Sequence, residues 1–427
     1  MFRKEKGALL LRILHTADWH LGKTLEDRDR REEQESFVDE ICEITRQEKI
    51  DLVLLAGDVF QSPNPGAAAQ DLFFDAMDRL ADHGRRGVVV IAGNHDSPER
   101  LSAPSPLADK LGITLIGYPF DPLLPTGTRS AERVRRIACG ASWLEIAVPG
   151  QDHSAVVLAL PYPSEGRLKR LLSDTMEESD LHRGYNDCLS DIFSHLGRHY
   201  REDSVNLLMS HLYVRNCVES DRETELDIQM GGAYAVDPQV LNIGAQYVAL
   251  GHLHRPQKIN GCGTASRYAG SPIAYGFAEA GHAKSVTVAD IQPGAAAQIR
   301  EVHLAASRPL VRWKASGGLP EVYRWIEEGK DCNAWIDLEI CVTELLTGSD
   351  IHRLRELRPG IVGIRPLPVS QAMEDEEYQS LAGLPVSELF ARFYAEKTGG
   401  LQPEPALLQL FCELIGEQDA EQGAENS

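Results

Sequence analysis

Residues 11–20 read LRILHTADWH, an apolar run that ends in an aspartate and a histidine. The arrangement recurs, since five short and almost wholly apolar runs are each followed at once by Asp, Asn or His. The runs and their polar residues are Leu11 to Leu14 before Asp18 and His20, Leu52 to Ala56 before Asp58, Val88 to Ala92 before Asn94 to Asp96, Leu207 to Met209 before His211, and Tyr247 to Leu250 before His252 and His254. Continuous runs of this length, rich in Val, Ile and Leu, predict strands buried on both faces.

The positions of these polar residues predict one shared site. In open α/β sheets, ligands bind beyond the carboxyl ends of the strands. If the five strands are neighbours, their ends bring two Asp, four His and one Asn into one crevice. Such a set of side chains is suited to binding divalent metal ions. One histidine at a strand end is more often a core or surface residue, but the joint pattern is hard to explain as scaffold.

Length and composition are those of a globular enzyme with two or three domains. The chain has 427 residues, of which 25% are charged and 43% hydrophobic. No apolar stretch approaches the roughly 20 residues that span a bilayer, so we expect no contact with a membrane. Residues 1–8 are expected to be an extension ahead of the first strand, because no small-residue cleavage site of a secretory signal follows them.

The cysteines indicate the redox environment. Eight of them are scattered along the chain, and none belongs to a CxxC pair. This pattern argues against a structural zinc site and a disulfide framework, and it favours the reducing cytoplasm. Most of the cysteines are expected to be small buried apolar residues.

The fold class predicted from the spacing is α/β. Helices are expected between the strands at Glu32 to Lys49 and Gln70 to His83, where apolar residues recur at helical spacing. Alternation of strand and helix implies crossover units and a largely parallel sheet around the site. Further strand-like runs at Val156 to Leu160 and Ser285 to Ile291 indicate more sheet. A layered sandwich flanked by helices is therefore expected.

The region after residue 305 has a different pattern and predicts further domains. Residues 9–305 are expected to form the core, 306–370 a small α+β domain, and 371–416 a helical segment, in which two helices follow an acidic patch. The predicted strands are Leu310 to Lys314, Ala334 to Val342 and Ile361 to Arg365, and the predicted helices are Glu321 to Glu328, Ser349 to Leu357, Val386 to Lys397 and Glu404 to Ile415. The last two helices have large apolar faces, which either bind a partner or pack back on the small domain. Residues 417–427 are acidic and expected to be disordered.

Five short motifs resemble, in order, the signature motifs of the calcineurin-like metallophosphoesterase superfamily. They are Asp18-Trp19-His20, Gly57-Asp58, Gly93-Asn94-His95-Asp96, Ser210-His211 and Gly251-His252-Leu253-His254. Longer stretches resemble the SbcD family, the nuclease subunits of bacterial SbcCD complexes. These stretches are ILHTADWHLG (13–22), AGDVF (56–60), AGNHDS (92–97), ALGHLHR (249–255), RYAGSPI (267–273) and LPVSELF (384–390). The resemblance implies a four-layer sandwich of two mixed sheets flanked by helices, with a small α+β capping domain and a C-terminal helical segment.

The same resemblance implies two divalent metal ions and their ligands. One ion would be held by Asp18, His20, Asp58 and His254, and the other by Asp58, Asn94, His211 and His252, with Asp58 bridging. Mixed imidazole and carboxylate ligands suit Mn²⁺, and Mg²⁺ is expected to be a weaker substitute. His95 would face the scissile phosphate, and Asp96 would orient His95 or cap the following turn. Gln61 departs from archaeal and eukaryotic relatives, which carry a histidine there.

The implied activity is hydrolysis of DNA. Family members act as 3′ to 5′ exonucleases on duplex ends and as endonucleases on single strands and hairpins, in DNA end processing, repair and recombination. They work as a homodimer within a heterotetramer with the ATPase SbcC, whose coiled coil binds the C-terminal helical segment. Phe37, Ile41, Phe73 and Met77 are candidate dimer residues, unless they are core residues. The expected location is the cytoplasm, in association with the nucleoid.

The net charge of −21 is wrong for a protein that binds DNA by counterion release alone. We therefore expect the ATPase partner to supply much of the DNA binding. Two rival functions remain: a small-molecule phosphodiesterase, which would not need residues 308–415, and an idle DNA-tethering scaffold, which would have lost a metal ligand. A zinc peptidase is disfavoured because the sequence has no HExxH motif.

Overall fold

The computed structural model describes residues 9–119, 121–126, 131–164, 178–218, 235–342 and 346–368, with scattered positions between 387 and 411. The chain divides into two compact units. The first contains Met1–Val311 with Asn333–Ile336, and the second contains Arg312–Cys332 with Asp337–Ser427. The predicted extension 1–8, the acidic patch at 374–377 and the predicted tail 417–427 lie outside the described residues.

The first unit is built from strands and helices that alternate over much of its length. Its strands are β1 (Leu11–Thr16), β2 (Leu52–Ala56), β3 (Gly87–Ile91), β4 (Ile113–Ile116), β5 (Arg135–Gly140), β6 (Trp143–Ala147), β7 (Ser154–Leu160), β8 (Val205–His211), β9 (Tyr247–Gly251), β10 (Gln257–Lys258), β11 (Ser266–Tyr268), β12 (Ser285–Ile291) and β13 (Gln298–His303). Its helices are α1 (Arg31–Gln47), α2 (Ala67–Ala81), α3 (Pro98–Ser102), α4 (Ser105–Ala108) and α5 (Glu178–Gly197). The predicted core strands and the two predicted crossover helices are therefore confirmed.

The described strands of this unit form two mixed sheets. The first has the order β13-β12-β1-β2-β3-β4, in which β1 to β4 are parallel and β12 and β13 are antiparallel. The second has the order β10-β11-β9-β8-β7-β6-β5, in which β11, β9, β8 and β7 are parallel. The five apolar runs are therefore not neighbours in one sheet, because β1, β2 and β3 belong to the first sheet and β8 and β9 to the second.

The strand runs are continuously apolar because both faces of each sheet are covered. Val53 of β2 lies in an apolar cluster with Phe37 of α1, while the adjacent Leu54 lies in a cluster with Met209 of β8 between the two sheets. A third cluster joins the other face of the second sheet to Phe193 of α5. The unit is therefore a four-layer sandwich of helices, sheet, sheet and helix, as expected.

The four candidate dimer residues belong to this core, so their assignment to a dimer surface was wrong. Phe37, Ile41, Phe73 and Met77 are all buried, and they pack in one cluster between α1, α2 and the first sheet. An apolar stripe at helical spacing forms on any helix that covers a sheet. The stripe therefore could not distinguish a core face from an exposed dimer face.

The second unit contains most of a small three-stranded sheet with two helices. The elements are β14 (Leu310–Ala315), α6 (Gly318–Glu327), β15 (Trp335–Val342), α7 (Gly348–Leu357) and β16 (Ile361–Pro368), and the sheet order is β14-β15-β16. Helix α7 begins with a capping box, in which the Thr347 side chain accepts from Asp350 N and the Asp350 carboxylate accepts from Thr347 N. The predicted α+β elements of this region are confirmed.

The two helices predicted near the C-terminus are described only in part. Residues 387, 390, 391, 393, 394, 405 and 407–411 are helical, and the other residues of the predicted helices are outside the described set. The rings of Phe390 and Phe411 stack with 3.9 Å between their centroids. Phe393 and Leu410 are exposed. The predicted helices thus contact each other and still leave apolar side chains in solvent.

The cysteines differ from expectation. All seven that the structure describes are free thiols, but Cys262 alone among them is buried, and Cys332 is exposed. The partly exposed thiols therefore contribute less to the apolar core than expected. Within the described part of the chain, no helix combines the length and the apolar character needed to cross a membrane.

Adjacent phenylalanines on α2 provide a test of the core. Phe73 is 1% exposed and Phe74 is 46% exposed. We expect Phe73→Ala to lower the free energy of unfolding by about 3–5 kcal/mol, because it leaves a cavity in the core. Phe74→Ala is the matched control and should change it by less than about 1 kcal/mol. Urea denaturation measures both values, and equal losses would contradict this packing.

Candidate metal centre

The predicted metal ligands lie where strands of both sheets end. Asp18 and His20 follow β1, Asp58 follows β2, Asn94 follows β3, His211 ends β8, and His252 and His254 follow β9. Main-chain hydrogen bonds join the first two loops, from Asp18 N to Gly57 O (3.0 Å) and from His20 N to Asp58 O (3.0 Å). His252 N donates to the Asp18 carboxylate at 2.9 Å, which links the loop after β9 to the loop after β1. The carboxyl ends of the two sheets therefore form one site.

Four of these residues have a backbone conformation that residues other than glycine rarely adopt. The φ angles are 54° at Asp18, 42° at His20, 50° at Asp58 and 106° at His252. Positive φ at a residue other than glycine costs on the order of 1–3 kcal/mol and tends to occur at functional sites. The surrounding sandwich therefore holds the ligand loops in a conformation that they would not adopt alone.

Two glycines of the motifs are required by close approach of the backbone. A Cβ on Gly93 would lie 2.1 Å from Asp58 Oδ1, and a Cβ on Gly251 would lie 1.9 Å from the carbonyl oxygen of Ala56. Neither neighbour is the flexible end of a long side chain. These positions need glycine so that the loop after β3 can approach the loop after β2, and so that the end of β9 can approach the end of β2.

The structure brings all seven predicted ligands together around Asp58. His20 Nε2 and His211 Nε2 lie 3.7 Å and 3.3 Å from Asp58 Oδ2. On one side, His20 Nε2 is 3.0 Å from His254 Nε2. The donor atoms of Asp18, His20 and His254 lie within 4.8 Å of one another, as do those of Asp18, Asp58 and His211.

The other side of the cluster contains Asn94. Its Oδ1 lies 2.9 Å from His211 Nε2 and 3.1 Å from His252 Nδ1. Asn94 is thus in contact with both histidines that the resemblance assigns to the same metal ion. Asp58 Oδ2 lies between His20 Nε2 on one side and His211 Nε2 on the other.

Burial and unsatisfied polar atoms indicate that this cluster fits metal ions. Asp18, His20, Asp58, His211 and His252 are all buried. Asp18 Oδ2, on a carboxylate of the cluster, is buried without a hydrogen-bond partner. Buried polar atoms are nearly always paired, because an unpaired one costs free energy. Carboxylate oxygens and imidazole nitrogens are ligands for divalent cations, which would satisfy such atoms.

The charges of the metal-free cluster compensate one another. Burial raises the pKa of Asp18 to about 6 and lowers the pKa of His252 to about 3. Burial also disfavours a charged His211, but the carboxylates of Asp58 and Asp18 outweigh it and raise the pKa of His211 to about 9. A proton on His211 thus offsets negative charge that a cation would otherwise neutralise.

His95 and Asp96 lie beside this cluster and have different partners. His95 N donates to Asp58 Oδ1 at 2.9 Å, its Nδ1 lies 3.1 Å from the carbonyl oxygen of Gln61, and its ring is 4.9 Å from that of His20. The Asp96 carboxylate accepts hydrogen bonds from the backbone N–H groups of three residues, namely Val59 (3.1 Å), Phe60 (2.9 Å) and Gly93 (2.9 Å). These contacts clamp the loop after β2 to the loop after β3. The orientation of His95 by Asp96 stays a prediction.

Sequence reasoning missed two residues at the site, Tyr162 and Glu279, and it left Gln61 out of the catalytic set. Gln61 contacts His95 through its main chain, which no side-chain pattern reveals. Tyr162 follows β7, and its ring lies 6.0 Å from that of His211 and 6.3 Å from that of His252. Tyr162 follows a strand, as the ligands do, so its position in the sequence could have identified it. Glu279 Oε1 lies 3.1 Å from His254 Nδ1, but Glu279 follows no strand, and no periodicity could have found it.

Comparison with known proteins places the chain in a family. Residues 11–256 match the profile of the calcineurin-like phosphoesterase family, and residues 306–398 match that of the type 5 capsule protein repressor C-terminal domain. The SbcD subunit of nuclease SbcCD from Bacillus subtilis (strain 168) is 45% identical over 413 residues, which cover 96% of this chain and 100% of the relative. The corresponding SbcD subunit from Rhodobacter capsulatus is 32% identical over 317 residues, with 73% of each chain covered.

A third relative is more distant. The SbcD subunit of nuclease SbcCD from Escherichia coli (strain K12) is 26% identical over 431 residues, which cover 96% of this chain and 100% of the relative. The phosphoesterase profile spans more than half of the chain, and the Bacillus subtilis relative is matched along its whole length. The chain therefore belongs to the calcineurin-like phosphoesterase family and, within it, to the SbcD nuclease subunits.

Proposed function

We propose that the chain is a DNA phosphodiester hydrolase that uses two metal ions. It acts as a 3′ to 5′ exonuclease on duplex ends and as an endonuclease on single strands and hairpins, together with an SbcC-type ATPase in DNA end processing, repair and recombination. The observation that carries this proposal is the meeting of seven side chains with oxygen and nitrogen donors, most of them buried, in the cluster that contains Asp58. The names of the relatives support the nuclease activity and membership of an SbcCD complex.

The proposed ligand sets divide the cluster in two. Asp18, His20, Asp58 and His254 hold one ion, and Asp58, Asn94, His211 and His252 hold the other. Four of the seven ligands are histidines, which favours Mn²⁺ over Mg²⁺, since Mg²⁺ prefers a shell of oxygen atoms. Bound divalent cations supply the Lewis acidity that activates water near neutral pH and offsets the charge of the phosphate.

The side chains around the ions bind and orient the phosphate and move a proton. His95 is only partly buried, beside His20 and Asp58. In the proposal, its imidazole faces the scissile phosphate, where it stabilises negative charge or protonates the leaving oxygen. Asp96 keeps the loops of Asp58 and His95 together through its three backbone partners.

The remaining parts of the chain have proposed roles in the assembly. Residues 9–305 form the nuclease core, 306–370 a capping domain, and 371–416 a segment that docks on the coiled coil of the ATPase. The active form is a homodimer within a heterotetramer, in the cytoplasm and associated with the nucleoid. Exposed apolar side chains at Phe393 and Leu410 support docking of the C-terminal segment. The net charge of −21 supports a division of labour in which the partner supplies much of the DNA binding.

Metal affinity is predicted to rise with pH. The pKa of His211 is about 9 in the metal-free chain, so its proton competes with the metal ion below that pH. One displaced proton makes Mn²⁺ affinity increase by about tenfold per pH unit between pH 7 and 8. Calorimetric titration in two buffers with different protonation enthalpies measures both the affinity and the protons released. Constant affinity without proton release would contradict a His211 that carries a proton in the metal-free chain and loses it to the metal ion.

Substitution of His95 tests the proposed function. His95→Ala should retain both Mn²⁺ ions but lower the rate of DNA cleavage by about 10²- to 10⁴-fold, because it removes a group that acts on the phosphate. The assay uses the chain with its ATPase partner on blunt duplex and hairpin DNA, with bound metal measured on the same samples. His303→Ala, at an exposed position on β13, is the control and should cleave at the wild-type rate.

Two outcomes of this assay would contradict the proposal. One is wild-type cleavage by His95→Ala. The other is a wild-type chain that hydrolyses a chromogenic phosphodiester in Mn²⁺ but no DNA, which would favour a small-molecule phosphodiesterase.

A further inference from the structure

Behind the proposed metal ligands lies a buried ion pair. Glu279 and Lys284 are 1% and 4% exposed, and the Lys284 ammonium donates to Glu279 Oε2. The other carboxylate oxygen, Oε1, lies 3.1 Å from His254 Nδ1 and accepts from Tyr275 N at 3.2 Å. Both oxygens of Glu279 are therefore held in place, and one of them faces a proposed ligand.

Lys284 also fixes the backbone of that ligand. Its Nζ donates to the carbonyl oxygen of His254 at 3.0 Å and to Ser271 Oγ at 2.8 Å. Ser271 N donates to the same carbonyl at 3.1 Å. The main chain and the imidazole of His254 are thus held by one group of buried side chains.

Stability alone does not account for this pair. Burying two charges costs about as much free energy as their attraction returns, so a buried ion pair is weak evidence for stabilisation. Its position against His254 points to a different use. A carboxylate that accepts the Nδ1 proton leaves Nε2 as the unprotonated, more basic nitrogen. In this structure, His254 Nε2 is the nitrogen that faces His20.

The partner of another proposed ligand provides a contrast. His211 Nδ1 lies 2.8 Å from the carbonyl oxygen of Ala56, a neutral backbone group. A carboxylate raises the basicity of an imidazole more than a carbonyl does, because it bears a full negative charge. The effect of Glu279 should therefore fall on the metal site that includes His254.

We infer that Glu279, held by Lys284, is a positioning residue that fixes the tautomer and orientation of His254 and thereby sets the affinity of one of the two metal sites. The inference rests on the proposed function, since it requires both sites to bind metal. It predicts a selective effect: loss of Glu279 weakens the site of Asp18, His20, Asp58 and His254 and leaves the other site unchanged.

Mn²⁺ titration of the full chain carrying Glu279→Gln tests this inference. We expect the affinity of one site to fall by about 10- to 100-fold, as for other partners of metal-bound histidines, while the second site keeps wild-type affinity. The paramagnetic resonance spectrum provides a signature that global unfolding would not produce, because unfolding would release both ions. At Mn²⁺ concentrations that give a coupled pair in the wild type, the variant should show an isolated Mn²⁺.

The matched control is Glu145→Gln in the second sheet. Glu145 is also a buried carboxylate paired with a cation and a serine hydroxyl, since Arg201 lies 2.8 Å and Ser154 Oγ 2.6 Å from its Oε1. Neither of these two partners is a proposed metal ligand. Both sites should keep wild-type affinity in this variant, whatever its stability.

Glu279→Gln leaves the buried charge of Lys284 without its carboxylate partner. If this variant does not fold, a second variant is used. Glu279→Gln combined with Lys284→Met removes both charges and should fold, with the same selective loss. Wild-type affinity at both sites in a folded variant would overturn the inference, and so would equal weakening of both sites. A wild-type chain that binds no Mn²⁺ pair would instead refute the proposed function itself.

Discussion

The contact between Asp58 and histidines from both sheets is the constraint on which the rest of the site depends. Asp58 Oδ2 lies 3.7 Å from His20 Nε2 of the first sheet and 3.3 Å from His211 Nε2 of the second, and Oδ1 accepts from His95 N. A buried carboxylate is costly unless cations or hydrogen bonds compensate its charge. The cluster therefore forms only if the loops of the two sheets converge on this carboxylate.

Convergence of the loops requires a rigid scaffold, and the four layers provide it. The strands are covered on both faces by apolar clusters, and the ligand loops leave their ends with positive φ at Asp18, His20, Asp58 and His252. A scaffold of this kind can hold strained loops because its own packing is extensive. Stability and function are thus separated in space, with the apolar layers in the interior and the strained, charged loops at one edge.

The features predicted correctly from the sequence are those with a local signal. A continuous apolar run that stops at Asp, Asn or His identified every strand end that bears a proposed ligand, because burial on both faces leaves only the end free for chemistry. The division of these strands between two sheets could not be predicted in this way. An apolar run has the same pattern in either sheet, and the partner of each strand is set by contacts distant in sequence.

The errors and omissions have the same origin. The stripe containing Phe37 and Phe73 fits a core face and a dimer face equally well, and only the covering sheet decides between them. Glu279 lies 25 positions from His254 in the sequence and follows no strand. Its role depends on a long-range contact, which single-sequence reasoning does not detect. Tyr162 also follows a strand, but its side chain lacks the chemistry of a metal ligand.

The most direct test of a shared carboxylate is calorimetric Mn²⁺ titration of Asp58→Asn beside the wild type. We expect two ions per wild-type chain and a weakening of both sites in the variant, because one side chain contributes to both. Loss of only one site, with wild-type affinity at the other, would contradict it.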